Sequence, residues 1–158
     1  MSEGSAQGGE EMKKIGDAIT MLGQVTVNTN GHEIRLWDGS FRTGFRVTKF
    51  IISIEAPTGA YEAVGKLHTS PTTGSISQWD WGDTQEIAWS AYGAPTKAGQ
   101  LYSVTDPDNL IIQNLYFSNY GTADSDFINY YIEMQKYEMP EWRGALSLAR
   151  NLAQGNPT

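Results

Sequence analysis

The aromatic residues of one segment form the pattern in this chain that most directly suggests chemistry. Trp79, Trp81, Trp89 and Tyr92 lie in or beside a run of predicted loops, and Trp79-Asp80-Trp81 is its densest part. Exposed indole rings stack on sugars and other flat ligands, whereas buried ones fill cores or anchor subunit contacts. We therefore keep three interpretations of this set: core, protein interface, and ligand-binding platform for a carbohydrate.

A second set of residues offers the oxygen ligands that Ca²⁺ takes. Asp106 and Asp108 flank a proline, and Asp124 and Asp126 lie in the next predicted loop. Carboxylates at such positions predict a calcium site, although the spacing is not that of an EF-hand. Asp-Pro-Asp is also an ordinary turn whose carboxylates cap backbone amides, and this interpretation stays open. No other cofactor is predicted.

No arrangement of catalytic residues stands out. The two histidines are expected at the surface, and no Gly-x-Ser-x-Gly elbow or phosphate-binding glycine loop is present. Asp80 with Asp83, or Glu86 with Glu133, would suit a glycosidase, but any acidic protein supplies such pairs. We predict that the protein is not an enzyme and keep a small glycoside hydrolase or lyase as an alternative.

Composition narrows the class further. The chain has 158 residues, which suits one domain, and it contains no cysteine, which excludes disulfides and thiolate metal sites. Its formal net charge of −7 argues against binding to nucleic acid phosphates or anionic lipids. No apolar run approaches the roughly 20 residues that cross a bilayer, and residues 1–11 do not read as a secretory signal. We expect no nucleic acid and no membrane partner.

Alternating side chains predict the body of the fold. Apolar residues recur at every second position over 127–135, the period of a half-buried strand, and with 109–120 they predict a long hairpin. Asn30-Gly31 predicts another hairpin, and 45–55 predicts a central strand. About eight strands with short turns predict an all-β fold, an antiparallel two-sheet sandwich of the jelly-roll type, with an immunoglobulin-like sandwich as the alternative.

Helical spacing predicts a short helix at either end of this sandwich. The first covers 10–22 and the second 140–152, where Pro140 begins the helix. We predict a flexible arm with an amphipathic helix over 1–24, the sandwich over 25–139, and a helix and tail over 140–158. Short helices need a docking surface, so we predict that their apolar stripes form interfaces through Met12, Ile15, Ile19, Trp142 and Leu146.

From Phe45 onward the order of features resembles small virion structural proteins of marine bacteriophages. The resemblance lies in Arg46-Val47-Thr48-Lys49-Phe50, Gly65-Lys66-Leu67, Trp79-Asp80-Trp81, Asp106-Pro107-Asp108-Asn109-Leu110-Ile111 and Asn129-Tyr130-Tyr131-Ile132-Glu133. It implies a virion protein without catalytic residues. We expect a cement or decoration protein, a homo-oligomer and specifically a trimer, in contact with capsid proteins. The alternatives are a carbohydrate-binding module or receptor-binding appendage, and a single jelly-roll capsid protein.

Overall fold

Eight strands and one helix make up the described part of the chain. The computed structural model describes residues 12–55, 61–93, 101–122 and 127–153. In chain order the elements are β1 Lys13–Thr26, β2 His32–Ile34, β3 Thr43–Ile54, β4 Ala63–His68, β5 Glu86–Tyr92, β6 Leu101–Thr105, β7 Leu115–Gly121, β8 Phe127–Glu138 and α1 Glu141–Ala153.

The strands form two sheets. The first sheet has the order β1-β8-β3, and the second has the order β2-β7-β4-β5-β6. Every pair of neighbouring strands runs antiparallel. The predicted all-β, antiparallel two-sheet architecture is therefore confirmed, and so is the C-terminal helix; the jelly roll stays a prediction.

The core lies between the two sheets and follows the predicted alternation. Ile128, Ile132 and Met134 of β8 are fully buried, whereas Phe127 and Glu138 at its two ends are exposed. Across the core the ring of Phe50 on β3 meets that of Phe117 on β7 edge to face, with centroids 5.9 Å apart. Aromatic pairs with this geometry add to the stabilisation from buried area.

A bulge between Val47 and Lys49 makes β3 look apolar on both faces in the sequence. Phe50, Ile52 and Ile54 after the bulge are buried in the core, whereas Lys49, Ile51 and Ser53 lie on the outer face.

β3 is also not the central strand that the sequence predicted. It forms one edge of the first sheet, but β5 and β6 of the second sheet pack against that edge. The Ile52 amide donates to Ser90 Oγ at 3.1 Å, and Ser103 Oγ donates to the Phe50 carbonyl. These hydroxyls satisfy buried backbone groups that would otherwise lack partners. This side of the sandwich is therefore closed.

The predicted N-terminal helix over 10–22 is wrong where the structure describes it. Residues 13–26 form β1, which pairs with β8 and carries a bulge between Ile15 and Ile19. Gly16 sits in the bulge with a φ of 66°, and Gln135 Nε2 donates to the Gly16 carbonyl at 3.3 Å. The bulge shifts the side-chain register, so the spacing of the apolar residues imitates a helix.

Both predicted hairpins are also wrong in their pairing. β1 and β2 flank Asn30-Gly31 but lie in different sheets, and so do β7 and β8. Each turn carries the chain from one sheet to the other. Gly31 has a φ of 86°, but Asn28 is the only described non-glycine residue with a positive φ, so Asn30-Gly31 does not form the type I′ turn of a hairpin. Turn residues specify a reversal of the chain, whereas the partner strand depends on contacts distant in sequence.

α1 lies on the loop before β3 and leaves its predicted apolar stripe outside. Gly144 is buried, and a Cβ at this position would overlap the Phe41 carbonyl oxygen. Leu148 packs against a small cluster formed by Leu110, Ile112 and Met139. In contrast, Trp142 and Leu146 are exposed. The helix is thus fixed by its close approach at Gly144.

This approach predicts a reversal of the usual helix propensity. Gly→Ala in a helix interior normally stabilises by about 1 kcal/mol. Gly144→Ala should instead destabilise α1, because the new methyl group meets a backbone oxygen. Hydrogen exchange of the α1 amides should become faster in this variant. Ala149→Gly, at an exposed position of the same helix, is the matched control for propensity alone. Slower exchange in Gly144→Ala would contradict the predicted clash.

Candidate functional site

A long loop over 69–85 lies on the outer face of the second sheet, above an ion pair. Lys66 of β4 and Glu86 of β5 point to this outer side, and the Lys66 Nζ lies 2.7 Å from Glu86 Oε2. Both side chains are only 2% exposed. Charges are this deeply buried in proteins only when they are paired and hydrogen-bonded. The loop and the pair therefore depend on each other.

The Glu86 carboxylate is the centre of the hydrogen bonds under the loop. Its Oε1 accepts from the Trp89 indole at 2.9 Å and from the Asp80 amide at 3.0 Å. Its Oε2 also accepts from Thr73 Oγ1 at 3.3 Å, and Lys66 Nζ donates to the Gln78 carbonyl at 2.9 Å. Three points of the loop are thus tied to one ion pair, which satisfies the buried charges.

His68, expected at the surface, is fully buried beside this pair. Its Nδ1 lies 2.7 Å from the Ser70 carbonyl, which only accepts, so Nδ1 carries the proton; Nε2 then accepts from Ser118 Oγ at 2.7 Å. Burial is the main cause that lowers the pKa of His68 from 6.5 to about 4, and Lys66 lowers it further. The imidazole is therefore neutral at pH 7 and serves as a structural hydrogen-bonding group.

Two consecutive turns hold Trp81 at the edge of the loop. Asp80 Oδ1 accepts from the Gly82 amide at 3.0 Å, and the Asp83 amide donates to the Asp80 carbonyl at 3.0 Å. Asp83 Oδ1 then accepts from the Gln85 amide at 3.0 Å. Aspartates that cap turn amides in this way fix the local backbone. Trp81 is consequently positioned while its side chain stays 62% exposed.

A cleft opens beside Trp81 and brings together two of the predicted sets. Its volume is about 250 Å³, and it is lined by Trp81, Asp83, Thr84, Glu86, Trp89, Asp106, Asp108 and Asn109. The rings of Trp81 and Trp89 touch, with centroids 5.6 Å apart and a tilt of 55°. Two predicted platform residues and two predicted calcium ligands thus share one cleft. We take it as the candidate site.

The other predicted aromatics lie elsewhere. Trp79 stacks on Tyr102 of β6, with centroids 5.8 Å apart and planes 19° from parallel. Tyr92 is at the opposite end of β5 from Glu86 and packs against the main core. Of the four predicted aromatics, Trp81 and Trp89 therefore line the cleft, Trp79 stacks on Tyr102, and Tyr92 packs against the core.

The turn interpretation accounts for Asp106. Its Oδ1 accepts from the Asp108 amide at 3.1 Å, and its Oδ2 accepts from the Asn109 side-chain amide at 2.9 Å. Asp124 and Asp126 lie outside the described residues. Within the described ranges, no three acidic or histidine side chains are grouped as metal ligands. Calcium binding stays a prediction.

The carboxylates considered for hydrolysis all have structural partners. Glu86 belongs to the second sheet, and Glu133 belongs to the first, where it accepts from the Tyr131 hydroxyl at 2.6 Å. Asp80 and Asp83 both cap turn amides. These carboxylates have structural partners that explain their positions.

Sequence reasoning missed Lys66 as the residue that organises this region. Its signal was the placement of Lys66 and His68 two apart in a strand, on one face, directly before a long irregular loop. Polar residues at strand period usually face water. Only a loop that folds back over them makes the same positions buried.

Comparison with protein-family models, curated proteins and solved structures found no match for this chain. In the part of the chain that the structure describes, no helix is both long enough and apolar enough to cross a membrane.

The ion pair predicts that a variant lacking one charge is less stable to unfolding than a variant lacking both. Glu86→Gln leaves the Lys66 ammonium buried without a counter-charge, which should cost about 3–5 kcal/mol of unfolding free energy. Adding Lys66→Met should recover much of this loss, since the amide oxygen of glutamine still accepts from Trp89 and Asp80. Urea denaturation of both variants measures the difference. A double variant no more stable than Glu86→Gln would refute the assigned role of the charge.

His68 predicts a pH dependence of stability. Because its folded pKa lies below that of the unfolded chain, its stabilisation is fully present above about pH 6.5. It should be lost progressively as the pH falls toward 4, by on the order of 3 kcal/mol in total. Chemical denaturation at a series of pH values between 7 and 4 measures the unfolding free energy. This free energy should fall less steeply with decreasing pH in His68→Gln than in the unsubstituted protein. Equal slopes would disprove this assignment.

Proposed function

We propose that this protein is a non-enzymatic structural subunit of a virus particle, of the cement or decoration type. It works by burying surface against copies of itself and against the shell. The observation that carries the proposal is β1, an open edge strand whose apolar side chains remain exposed. Soluble monomers protect such edges with charges, bulges, prolines or covering elements, because an open edge pairs with other chains. β1 has charges and a bulge only in its first half, and residues 18–26 contain neither a charge nor a proline.

β1 has 14 residues and, among the described strands, pairs through one side only, with β8. Leu22 is 74% exposed on it, and Ile15 and Ile19, both predicted interface residues, are exposed as well. The backbone groups of the outer side have no strand beside them among the described residues. Such a strand is a template for pairing with a further strand.

The outer face of the first sheet continues this surface. Leu22 is opposite Tyr131 on β8, and Tyr131 is opposite Ile51 on β3, so the three side chains form a row across the sheet. Whereas the loop over 69–85 covers the outer side of the second sheet, no described element covers this row. Apolar surface of this kind favours contact with another protein.

A second copy of this chain is the partner that suits β1. In an antiparallel pair of β1 strands, Lys13 and Lys14 of each copy would lie beside the far half of the other strand. That half, residues 20–26, contains no charged residue, so the contact brings no like charges together. Such a contact is self-complementary, as the two-fold interfaces of homo-oligomers are. The predicted trimer would need further contacts.

α1 supplies these further contacts in our proposal. Trp142 and Leu146, predicted as interface residues, lie one turn apart on its exposed side. Met12, the remaining predicted residue, instead packs against the cluster below α1. The helix starts three residues after Glu138, which pairs with Lys13 at the start of β1. The two exposed apolar surfaces therefore begin at the same end of the sandwich.

The strand order supports the viral part of the proposal. A jelly roll of eight strands places the first, eighth, third and sixth in one sheet and the second, seventh, fourth and fifth in the other. The order here agrees except that β6 is hydrogen-bonded to β5 while it packs beside β3. We propose a jelly roll in which β6 turns the corner between the sheets. Viral capsid domains use this fold repeatedly.

Charges on the edge strand should weaken self-association. With Ile19→Lys and Leu22→Lys combined, light scattering after size exclusion should show smaller particles, with an association constant at least about tenfold lower. Tyr120→Lys, at an exposed aromatic position on the internal strand β7, is the matched control and should leave the mass unchanged. If the unsubstituted protein is a monomer at every concentration measured, assembly through β1 is overturned.

Particles made from the genome that encodes the chain test the viral assignment. Mass spectrometry of density-purified particles should find the chain in many copies together with a separate, more abundant shell protein. If this chain is itself the most abundant shell component, it is the capsid protein rather than a cement protein. Absence from purified particles would contradict both forms of the proposal.

A further inference from the structure

We propose that the cleft beside Trp81 binds a neutral sugar residue of a glycan. This goes beyond assembly, because the cleft belongs to the second sheet and its loop, whereas β1 and the row on the first sheet form the contact surface. The inference therefore does not depend on the proposed function, and it assigns a ligand class to a separate surface.

The platform of the site is a fixed, exposed indole. Trp81 is 62% exposed although it is among the largest apolar side chains. It rests against Trp89, which is itself held by its hydrogen bond to Glu86. The two Asp-capped turns hold the backbone on either side of Trp81. A rigid platform binds with a smaller loss of conformational entropy than a mobile one.

The other lining residues of the cleft supply hydrogen-bond acceptors. Asp83, Asp106 and Asp108 carry carboxylates, and Asn109 carries a side-chain amide. Asp83 and Asp106 are already held by turn amides, which leaves further lone pairs for a ligand. A pyranose suits this combination, since its C–H face packs on an indole while its hydroxyls donate to carboxylates.

The charges and ring arrangement of the cleft also favour a neutral sugar over other classes of ligand. Carboxylates repel phosphates and acidic sugars, so an anionic ligand is disfavoured. A quaternary ammonium prefers aromatic faces on opposite sides of it, as in an aromatic cage. Here the two indoles touch each other at 5.6 Å and form a single continuous wall.

The test is a glycan array followed by calorimetry with the intact protein. Neutral hexoses and N-acetylhexosamines, as methyl glycosides and as oligosaccharides, are the probes, with choline and N-acetylneuraminic acid for comparison. We expect binding to at least one neutral glycan and at least about tenfold weaker binding in Trp81→Ala, equivalent to about 1.4 kcal/mol. Tyr120→Ala removes an exposed aromatic side chain from β7, outside the cleft and outside the proposed contact surfaces, and should leave glycan affinity unchanged.

Circular dichroism and the particle mass in solution keep this test separate from assembly and folding. Trp81→Ala should retain both, because its ring is exposed and lies away from β1. The inference is overturned if no neutral glycan binds, if Trp81→Ala and Tyr120→Ala bind equally well, or if choline or the acidic sugar binds in preference. If the unsubstituted protein binds a neutral glycan but is monomeric in solution, the proposed function alone is contradicted.

Discussion

The ion pair between Lys66 and Glu86 is the interaction on which the second sheet and its surface depend. Two charges buried to 2% exposure require each other, and apart from the Trp89 indole their other hydrogen-bond partners lie in the loop over 69–85. The loop in turn buries His68 and positions Trp81. Replacing such a pair with apolar residues is often neutral for stability, so its retention favours a role in specifying one loop conformation. The cleft is a consequence of this arrangement.

The two sheets differ in what covers them, and this difference organises the molecule. The second sheet carries a tightly bonded loop on its outer face, whereas the first sheet has three strands and a row formed by the exposed Leu22 and the partly buried Tyr131 and Ile51. On one side of the sandwich serine hydroxyls close the gap between β3 and the second sheet; on the other side β1 is open. The outer face of the second sheet is thus covered within the subunit. In our proposal, the β1 edge and the outer face of the first sheet are covered by other subunits.

Local patterns predicted the elements better than their partners. The alternation in β8 predicted a strand because each second side chain enters the core, and the structure confirms it. The spacing of Ile15, Ile19 and Leu22 predicted a helix because a bulge at Gly16 shifts a strand register in a way that composition does not reveal. The cleft was beyond prediction, since Trp81 and Asp106 meet only through the pairing of β5 with β6. The burial of His68 and Lys66 was missed because an irregular loop covers them, and such a loop has no periodic pattern in the sequence.

Hydrogen exchange of β1 as a function of protein concentration tests the central claim most directly. Every second amide of an open edge strand faces away from its neighbour and exchanges freely unless another chain pairs with it. We predict that these β1 amides gain protection as the concentration rises, while those of β8, already between two strands, do not change. Equally fast exchange of these β1 amides at every concentration would show that the edge has no partner and would contradict assembly through it.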